Sequence, residues 1–288
     1  MRFSVQTLPL LLLLLVACWS KSQEDKGEGH VTHTGTHHSK IDPQHVVIVI
    51  SRGRSGSSRM CELVARVIGE SPTSLRTELF GSGLVDMMKV KDPLAMAVQF
   101  LAKAQQHSTW AGFKYKPIYF DEGYAKFTQW MGQSGVRVVF NSRNPLDLLV
   151  SSAKQKEFDD NNHYHCKAGD ERCVARVDKV RVHLSTETLI DSIRLINNET
   201  DAELARFAHY NVTYIPVLYE DLSTGTAASQ LEHLTKIAVF LGIKRDLKKQ
   251  DLKSAMENTS PETQADAIAN YPDVVRTLTG TEYQSLLH

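Results

Sequence analysis

The sequence has no excess of charge of either sign, because 33 lysines and arginines balance 33 aspartates and glutamates in 288 residues. Such a chain exerts no overall attraction on nucleic acid or acidic lipid, so any anion site has to be local. With 42% hydrophobic and 23% charged residues, the composition excludes collagen, a coiled coil, a wholly disordered chain and a multi-span membrane protein. The length fits one large domain or two small ones.

Cysteine is also scarce, with four in the chain. Cys61 falls on the apolar face of a predicted helix, which is typical of a buried free thiol. Cys166 and Cys173 flank a polar hexapeptide, and in an oxidising compartment this spacing favours a local disulfide. The alternative is a zinc site completed by two neighbouring histidines, His163 and His165.

The N-terminus has the pattern of a secretory signal. A short head carrying Arg2 precedes the leucine-rich segment Leu8–Ala17. Residues 1–19 are predicted to be a signal peptide or a retained signal anchor, and both remain open. Residues 20–44 are polar and predict a flexible stem, whose histidines we interpret as solvated and not as metal ligands. Residues 45–288 form the remaining domain.

Three acceptor patterns for N-glycosylation are present, at Asn198, Asn211 and Asn258. Asn211 opens a predicted strand, so it is the least favoured of the three.

Four apolar segments predict strands, at 45–50, 111–115, 136–140 and 212–218. Helical periodicity follows at 59–69 and 227–241, and Pro145 is suited to start a third helix. This alternation is typical of an α/β fold with a parallel sheet. Residues 157–185 are polar and predict an irregular excursion. Pro216 is awkward for a central strand.

A turn rich in glycine, serine and arginine joins the first strand to its helix. Backbone N–H groups of such a turn, with the helix N-terminus, form a cradle for an anion. Serine hydroxyls and arginine charges add to it, from Ser57, Ser58, Arg52, Arg54 and Arg59. The lysine that follows the last glycine in nucleotide-triphosphate loops is missing, which argues against a kinase or an ATPase.

A second candidate for anion binding follows the third strand. Arg143 stands at the predicted strand end, and Ser151 lies eight residues further, in the helix that starts at Pro145. The two side chains can converge on one anionic group. The alternative is an ordinary helix start, just as the first turn could be an ordinary glycine–serine turn.

Together the two motifs resemble those of sulfotransferases that use 3′-phosphoadenosine-5′-phosphosulfate (PAPS). Arg54-Ser-Gly-Ser-Ser58 is most similar to the loop of the Golgi carbohydrate sulfotransferases, and further similarities lie at 112–114, 219–222 and 278–283. The resemblance spans about 45–288. It implies a P-loop-like three-layer fold with a central parallel sheet flanked by helices. It also implies PAPS as co-substrate without a metal, a glycan hydroxyl as acceptor, and a location in the Golgi lumen or outside the cell.

The resemblance assigns binding roles residue by residue. The loop residues Arg54, Ser55, Gly56, Ser57 and Ser58 would hold the 5′-phosphosulfate. Arg143 and Ser151 would hold the 3′-phosphate. Gly280 and Thr281 would correspond to a late loop that closes on the nucleotide. Arg59 stands where an aromatic residue is usual, and a guanidinium can stack on a base.

The resemblance also suggests catalytic groups. Glu78 is the first candidate for the base that takes the proton of the acceptor hydroxyl. Arg54 and Lys114 would stabilise developing charge. Histidines of the irregular region are alternative bases, namely His163, His165 and His183. A protein-tyrosine sulfotransferase and a catalytically inactive binding module on the same fold are the alternative functions.

Overall fold

The computed structural model describes residues 41–71, 73–81, 84–117, 121–157, 166, 169–254 and 263–288. The predicted signal, the stem up to residue 40, His163, His165 and Asn258 therefore lie outside the described residues. Residues 41–44, the last of the predicted stem, contact the folded domain. Ile41 packs against the core, and the Asp42 carboxylate accepts a hydrogen bond from the backbone N–H of Gln44 to cap a short 3₁₀-helix, Pro43–His45.

Four strands form one parallel sheet: β1 (Val46–Ser51), β2 (Ala111–Tyr115), β3 (Arg137–Ser142) and β4 (Thr213–Leu218). Their order is β2-β1-β3-β4. The prediction of a parallel α/β sheet is confirmed. Because β4 is at one end of this order, Pro216 sits in an edge strand, where a missing N–H is tolerated.

Eleven α-helices are present in the described residues: α1 (Ser57–Val67), α2 (Leu84–Met88), α3 (Pro93–Ala104), α4 (Glu122–Ser134), α5 (Pro145–Glu157), α6 (Glu171–Asp178), α7 (Leu189–His209), α8 (Tyr219–Ser223), α9 (Ala227–Phe240), α10 (Gln264–Ala267) and α11 (Tyr271–Leu278). Two more 3₁₀-helices are Lys249–Leu252 and Gln284–Leu286. Helix α6 lies within the region predicted to be irregular, so that prediction is wrong there. None of the described helices is both long enough and apolar enough to cross a bilayer.

Helices cover both faces of the sheet. Alternate residues of a strand point to opposite faces, and Val47 and Val49 pack with α1 and α9 on one face. Ile48 and Ile50 pack with α3, α4 and α7 on the other. Every residue of β1 is buried. The three-layer architecture predicted from the resemblance is thus present. Strand β1 runs through the centre of the core and ends at Ser51.

A third apolar cluster joins the C-terminal segment to the helix after β3. Leu146 of α5 packs with residues of α7 and with Val274 and Leu278 of α11. This cluster fixes the start of α5 against the last residues of the chain.

The cysteines follow the sequence prediction. Cys166 and Cys173 form a disulfide, with Cys173 in the first turn of α6. Cys61 is a buried free thiol, and burial raises its pKa to about 12. The two described glycosylation acceptors are both exposed, Asn198 on α7 and Asn211 in the turn before β4. Their modification stays a prediction.

Gly132 on α4 is held against another backbone segment. A Cβ atom at this position would lie 1.8 Å from the carbonyl oxygen of Tyr210. Alanine stabilises a helix by about 1 kcal/mol relative to glycine, but this overlap forces a backbone shift.

We expect Gly132→Ala to lower the free energy of unfolding by about 2 kcal/mol, measured by urea denaturation. Gln133→Ala, on the exposed side of the same helix, is the control and should change it by less than about 0.5 kcal/mol. A stabilised Gly132→Ala protein would contradict the observed packing.

Candidate anion-binding site

The loop between β1 and α1 turns sharply at two residues. Arg54 and Gly56 both have positive φ, at 68° and 72°. For Arg54 this conformation costs of order 1 kcal/mol, so the surrounding contacts have to maintain it. Gly56 has a second constraint, because a Cβ there would lie 2.0 Å from the Tyr219 ring. The turn directs the first N–H groups of α1, which have no intrahelical partners, towards the carboxyl end of the sheet.

Ser55 anchors the loop to the sheet. Its buried hydroxyl donates to the carbonyl of Arg52 at 2.6 Å. The Nδ2 group of Asn141 donates to the Ser55 carbonyl at 2.7 Å and to its hydroxyl at 3.1 Å. Sequence reasoning did not select Asn141, although an asparagine ending the strand beside β1 was a usable signal. Ser55 therefore fixes the shape of the cradle, and Ser57 and Ser58 are the first two residues of α1.

The structure brings the two predicted anion motifs together. Nη1 of Arg143 donates to the Arg54 carbonyl at 2.9 Å. Nε of Arg54 donates to the Ser151 hydroxyl at 3.4 Å. Since β1 and β3 are adjacent and parallel, with Ser51 opposite Asn141, both motifs follow strands that end at the same edge of the sheet. Three of the predicted binding residues thus form one cluster.

Arg143 is held from the side of α8. Its guanidinium lies over the Tyr219 ring, 4.9 Å from the centroid, and its Nε is 3.7 Å from a Glu220 carboxylate oxygen. Burial raises the pKa of Glu220, and the Arg143 charge opposes that rise. Glu220 lies in the first turn of α8. Tyr219 and Glu220 are therefore part of the site's support.

The turn that carries Arg143 is tied to the C-terminus. The backbone N–H of Asn144 donates to Glu220 at 3.3 Å, and its Nδ2 donates to the Leu286 carbonyl at 3.0 Å. Its Oδ1 accepts from the N–H of Leu146, which caps α5. One asparagine thus fixes the strand–helix junction in three directions.

Several buried polar atoms around this cluster make no hydrogen bond within the described part of the chain: Ser51 Oγ, Arg59 Nε, Asn141 Oδ1 and Arg143 Nε. Buried polar groups are normally satisfied, so these atoms fit a site that hydrogen-bonds to a polar ligand. Arg59 is otherwise directed to α8, where its Nη2 donates to the Leu222 carbonyl at 3.2 Å.

Glu78 lies between two lysines beside the outer edge of β2. Its carboxylate oxygens are 2.6 Å from Lys114 Nζ and 3.1 Å from Lys116 Nζ. The backbone of residues 77–78 pairs with Lys114 as in a parallel sheet. Burial raises the pKa of Glu78, but both lysines outweigh burial and hold that pKa below its ordinary value. Sequence reasoning missed Lys116, which lies two residues after Lys114 and just beyond the end of β2.

A second buried ion pair fixes the segment before Glu78. Glu62 of α1 is fully buried, and its carboxylate is 3.2 Å from Arg76 Nη1. The Ser254 hydroxyl donates to the same carboxylate at 2.5 Å. Arg76 is two residues from Glu78, so this pair anchors one end of the segment while Lys114 anchors the other.

The remaining predicted residues lie elsewhere. Gly280 and Thr281 form a turn after α11, where the Gly280 N–H donates to the Gln284 side chain and the Thr281 hydroxyl donates to the Leu278 carbonyl. Their closure on a nucleotide stays a prediction. His183 is exposed, next to Val182. Within the described ranges, no group of three histidine, cysteine or acidic side chains is placed to hold a metal ion.

Comparisons with known proteins give little further guidance. No family model matches the chain, and no curated protein matches it. Among solved structures, a sulfotransferase from Alicyclobacillus acidocaldarius aligns at 15% identity and a TM-score of 0.39, over 81% of this chain and 93% of that one. Retinol dehydratase, in complex with androsterone and the inactive cofactor PAP, aligns at 13% identity and a TM-score of 0.40, over 85% and 83%. Likeness at this level identifies neither a family nor an activity.

Replacing Arg76 measures how much the Glu62–Arg76 pair contributes to the free energy of unfolding. Arg76→Met leaves the Glu62 carboxylate buried without this cation, and we expect the free energy of unfolding to fall by about 2 kcal/mol. Arg276→Met removes an arginine from the exposed pair with Asp273 and should cost less than about 0.5 kcal/mol. Denaturant unfolding measures both.

The double variant Glu62→Gln/Arg76→Met is the internal check. It removes the Glu62 charge together with its arginine partner, so it should recover part of the loss. Additive losses would show that the two side chains do not interact.

Proposed function

We propose that this protein transfers a sulfuryl group from PAPS to a carbohydrate hydroxyl in the secretory pathway. One observation carries the proposal: Arg54 contacts both Arg143 and Ser151, from which it is separated by 89 and 97 residues of sequence. Two motifs that the family resemblance assigns to the two ends of one nucleotide are therefore neighbours in space.

The donor would lie across the carboxyl end of the sheet. The first turn of α1, with Arg54, Ser57 and Ser58, would hold the 5′-phosphosulfate, because a helix N-terminus and a guanidinium both favour an anion. Arg143 and Ser151 would hold the 3′-phosphate. Arg59 would lie beside the adenine base, and the turn of Gly280 and Thr281 would close on the nucleotide.

The chemistry requires positioning, charge stabilisation and a base. The acceptor oxygen forms a bond to sulfur as the bond from sulfur to the 5′-phosphate oxygen breaks, by analogy with phosphoryl transfer. Arg54 and the loop N–H groups would stabilise charge on that departing oxygen. Glu78 would take the acceptor proton, and Lys114 and Lys116 keep it ionised and oriented.

The secretory location and the glycan acceptor rest on the N-terminal signal pattern and on the loop resemblance. Residues 1–19 would direct the chain to the Golgi lumen or the exterior. The alternative acceptor is a protein tyrosine, and the alternative to catalysis is nucleotide or glycan binding alone. Radiolabelled PAPS incubated separately with polysaccharides and with tyrosine peptides distinguishes the three.

Binding of 3′-phosphoadenosine-5′-phosphate tests the donor site directly. We expect the wild-type chain to be stabilised by this nucleotide in a thermal unfolding titration. Arg143→Ala should raise the Kd by about 10- to 100-fold, since a charge-assisted hydrogen bond contributes about 1.5–3 kcal/mol. Arg276→Ala, an exposed arginine outside the cluster, should leave the Kd unchanged. If saturating nucleotide does not stabilise the wild type, the proposed function is wrong.

The pH dependence of transfer tests Glu78. A base with a lowered pKa is ionised above that pKa, so activity is retained through neutral pH and is lost as pH falls through it. Lys116→Met removes one of the charges that lower the pKa of Glu78. We expect the acid limb of the kcat/KM profile to move to higher pH, while Lys103→Met, an exposed lysine on α3, leaves it in place. An unchanged limb in both Lys116→Met and Glu78→Gln would place the base elsewhere.

A further inference from the structure

A cavity of about 210 Å³ lies beside the loop, at the carboxyl end of the sheet. Arg52 borders it from the loop, Arg143 from the β3–α5 turn, and Pro117 from the segment after β2. Helix α7 forms the opposite wall. Ligands of open α/β sheets bind outside the carboxyl ends of the strands. Pro117 directly follows Lys116 in the chain, and Lys116 pairs with Glu78, so the segment that pairs with the candidate base also borders this cavity.

The charges around this cavity are already balanced. Arg52 forms an ion pair with Glu199 of α7, and Arg143 faces Glu220. Glu203, also on the α7 wall, is buried and pairs with Arg206. An anionic ligand inside would approach the Glu199 and Glu203 carboxylates and would have to compete for both arginines. The lining thus opposes a second negative charge beyond that of the donor.

Asn141 adds a requirement for a hydrogen-bond donor. Its Nδ2 donates to the Ser55 carbonyl, which can only accept, so Oδ1 is left as an acceptor. Asn141 lines the cavity, and its Oδ1 is buried with no partner among the described residues. An amide oxygen accepts and does not donate. A hydroxyl satisfies it, whereas a carboxylate or a sulfate cannot.

We propose that this cavity binds the acceptor, and that it selects an uncharged hydroxyl compound, a single neutral sugar ring, over a carboxylated or sulfated glycan. This inference rests on the proposed sulfuryl transfer and narrows its substrate class. The volume supports one ring, because pockets for drug-sized ligands are about 300–1,000 Å³. The acceptor would lie between Asn141 and the α7 wall.

A matched pair of acceptors tests the charge preference in the wild-type protein. A methyl hexoside and the methyl hexuronide of the same configuration differ only in the carboxylate. With PAPS as donor, we expect kcat/KM to be at least tenfold higher for the hexoside. Equal use of both, or preference for the hexuronide, overturns the inference even when nucleotide binding is normal.

A matched pair of variants tests the location. Thr200 lines the cavity and Thr235 lies exposed on α9, and each hydroxyl donates to the carbonyl four residues earlier. Thr200→Trp should raise the KM for the hexoside at least tenfold and leave the Kd for 3′-phosphoadenosine-5′-phosphate unchanged. Thr235→Trp should change neither. A Thr200→Trp protein that loses nucleotide affinity instead would assign the cavity to the donor, and unchanged kinetics would place the acceptor elsewhere.

Glu199→Lys provides a test that does not depend on filling the interior, because Glu199 is half exposed. Replacing its negative charge with a positive one should lower the ratio of kcat/KM for the hexoside to kcat/KM for the hexuronide. Glu232→Lys, on the exposed side of α9, is the control and should leave that ratio unchanged. If the wild type does not bind the nucleotide, both the proposed function and this inference are wrong. If it binds the nucleotide normally but shows no preference between the two acceptors, only this inference is wrong.

Discussion

The parallel pairing of β1 with β3 is the constraint on which the site depends. It sets Ser51 opposite Asn141, and the two chains therefore leave the sheet side by side. Asn141 then bonds to Ser55, and Arg143, two residues later, bonds to Arg54. A shift of this register by one residue would turn the strand side chains to the opposite faces. Core packing on both faces prevents that shift, so the hydrophobic core also determines the geometry of the polar cluster.

The supporting contacts explain why unfavourable features persist in this region. Arg54 has a positive φ, and several buried polar atoms find no hydrogen-bond partner among the residues that the structure describes. Other groups in this region are fully hydrogen-bonded or closely packed. Asn144 fixes its junction with three hydrogen bonds, and the Tyr219 ring fills the space beside Gly56. Local violations beside well-determined surroundings are typical of binding sites. The candidate base is held in the same way, between two lysines and a buried ion pair.

The sequence predicted those parts of the structure that depend on local pattern. The β1 segment is a continuous apolar run, and α9 shows a clear helical period, so both were predictable. Helix α7 was not predicted, because residues 197–201 are all polar and only tertiary packing reveals the buried positions of the helix. Helix α6 was hidden in a polar segment, where a capping aspartate and a disulfide define it.

For the site, motif residues were predictable and their supports were not. Arg54, Arg143 and Ser151 follow recognisable patterns, but Asn141, Lys116 and Tyr219 act through pairings between distant segments that a single sequence does not display. The site is therefore built from positions 54, 143, 219 and 286, which are spread over the length of the domain. Contacts of such long sequence separation form late in folding, because each requires a large loop to close first. A chain emerging from the ribosome has no such site until its C-terminal turn has docked, so ligand binding at this cluster reports completion of the whole fold.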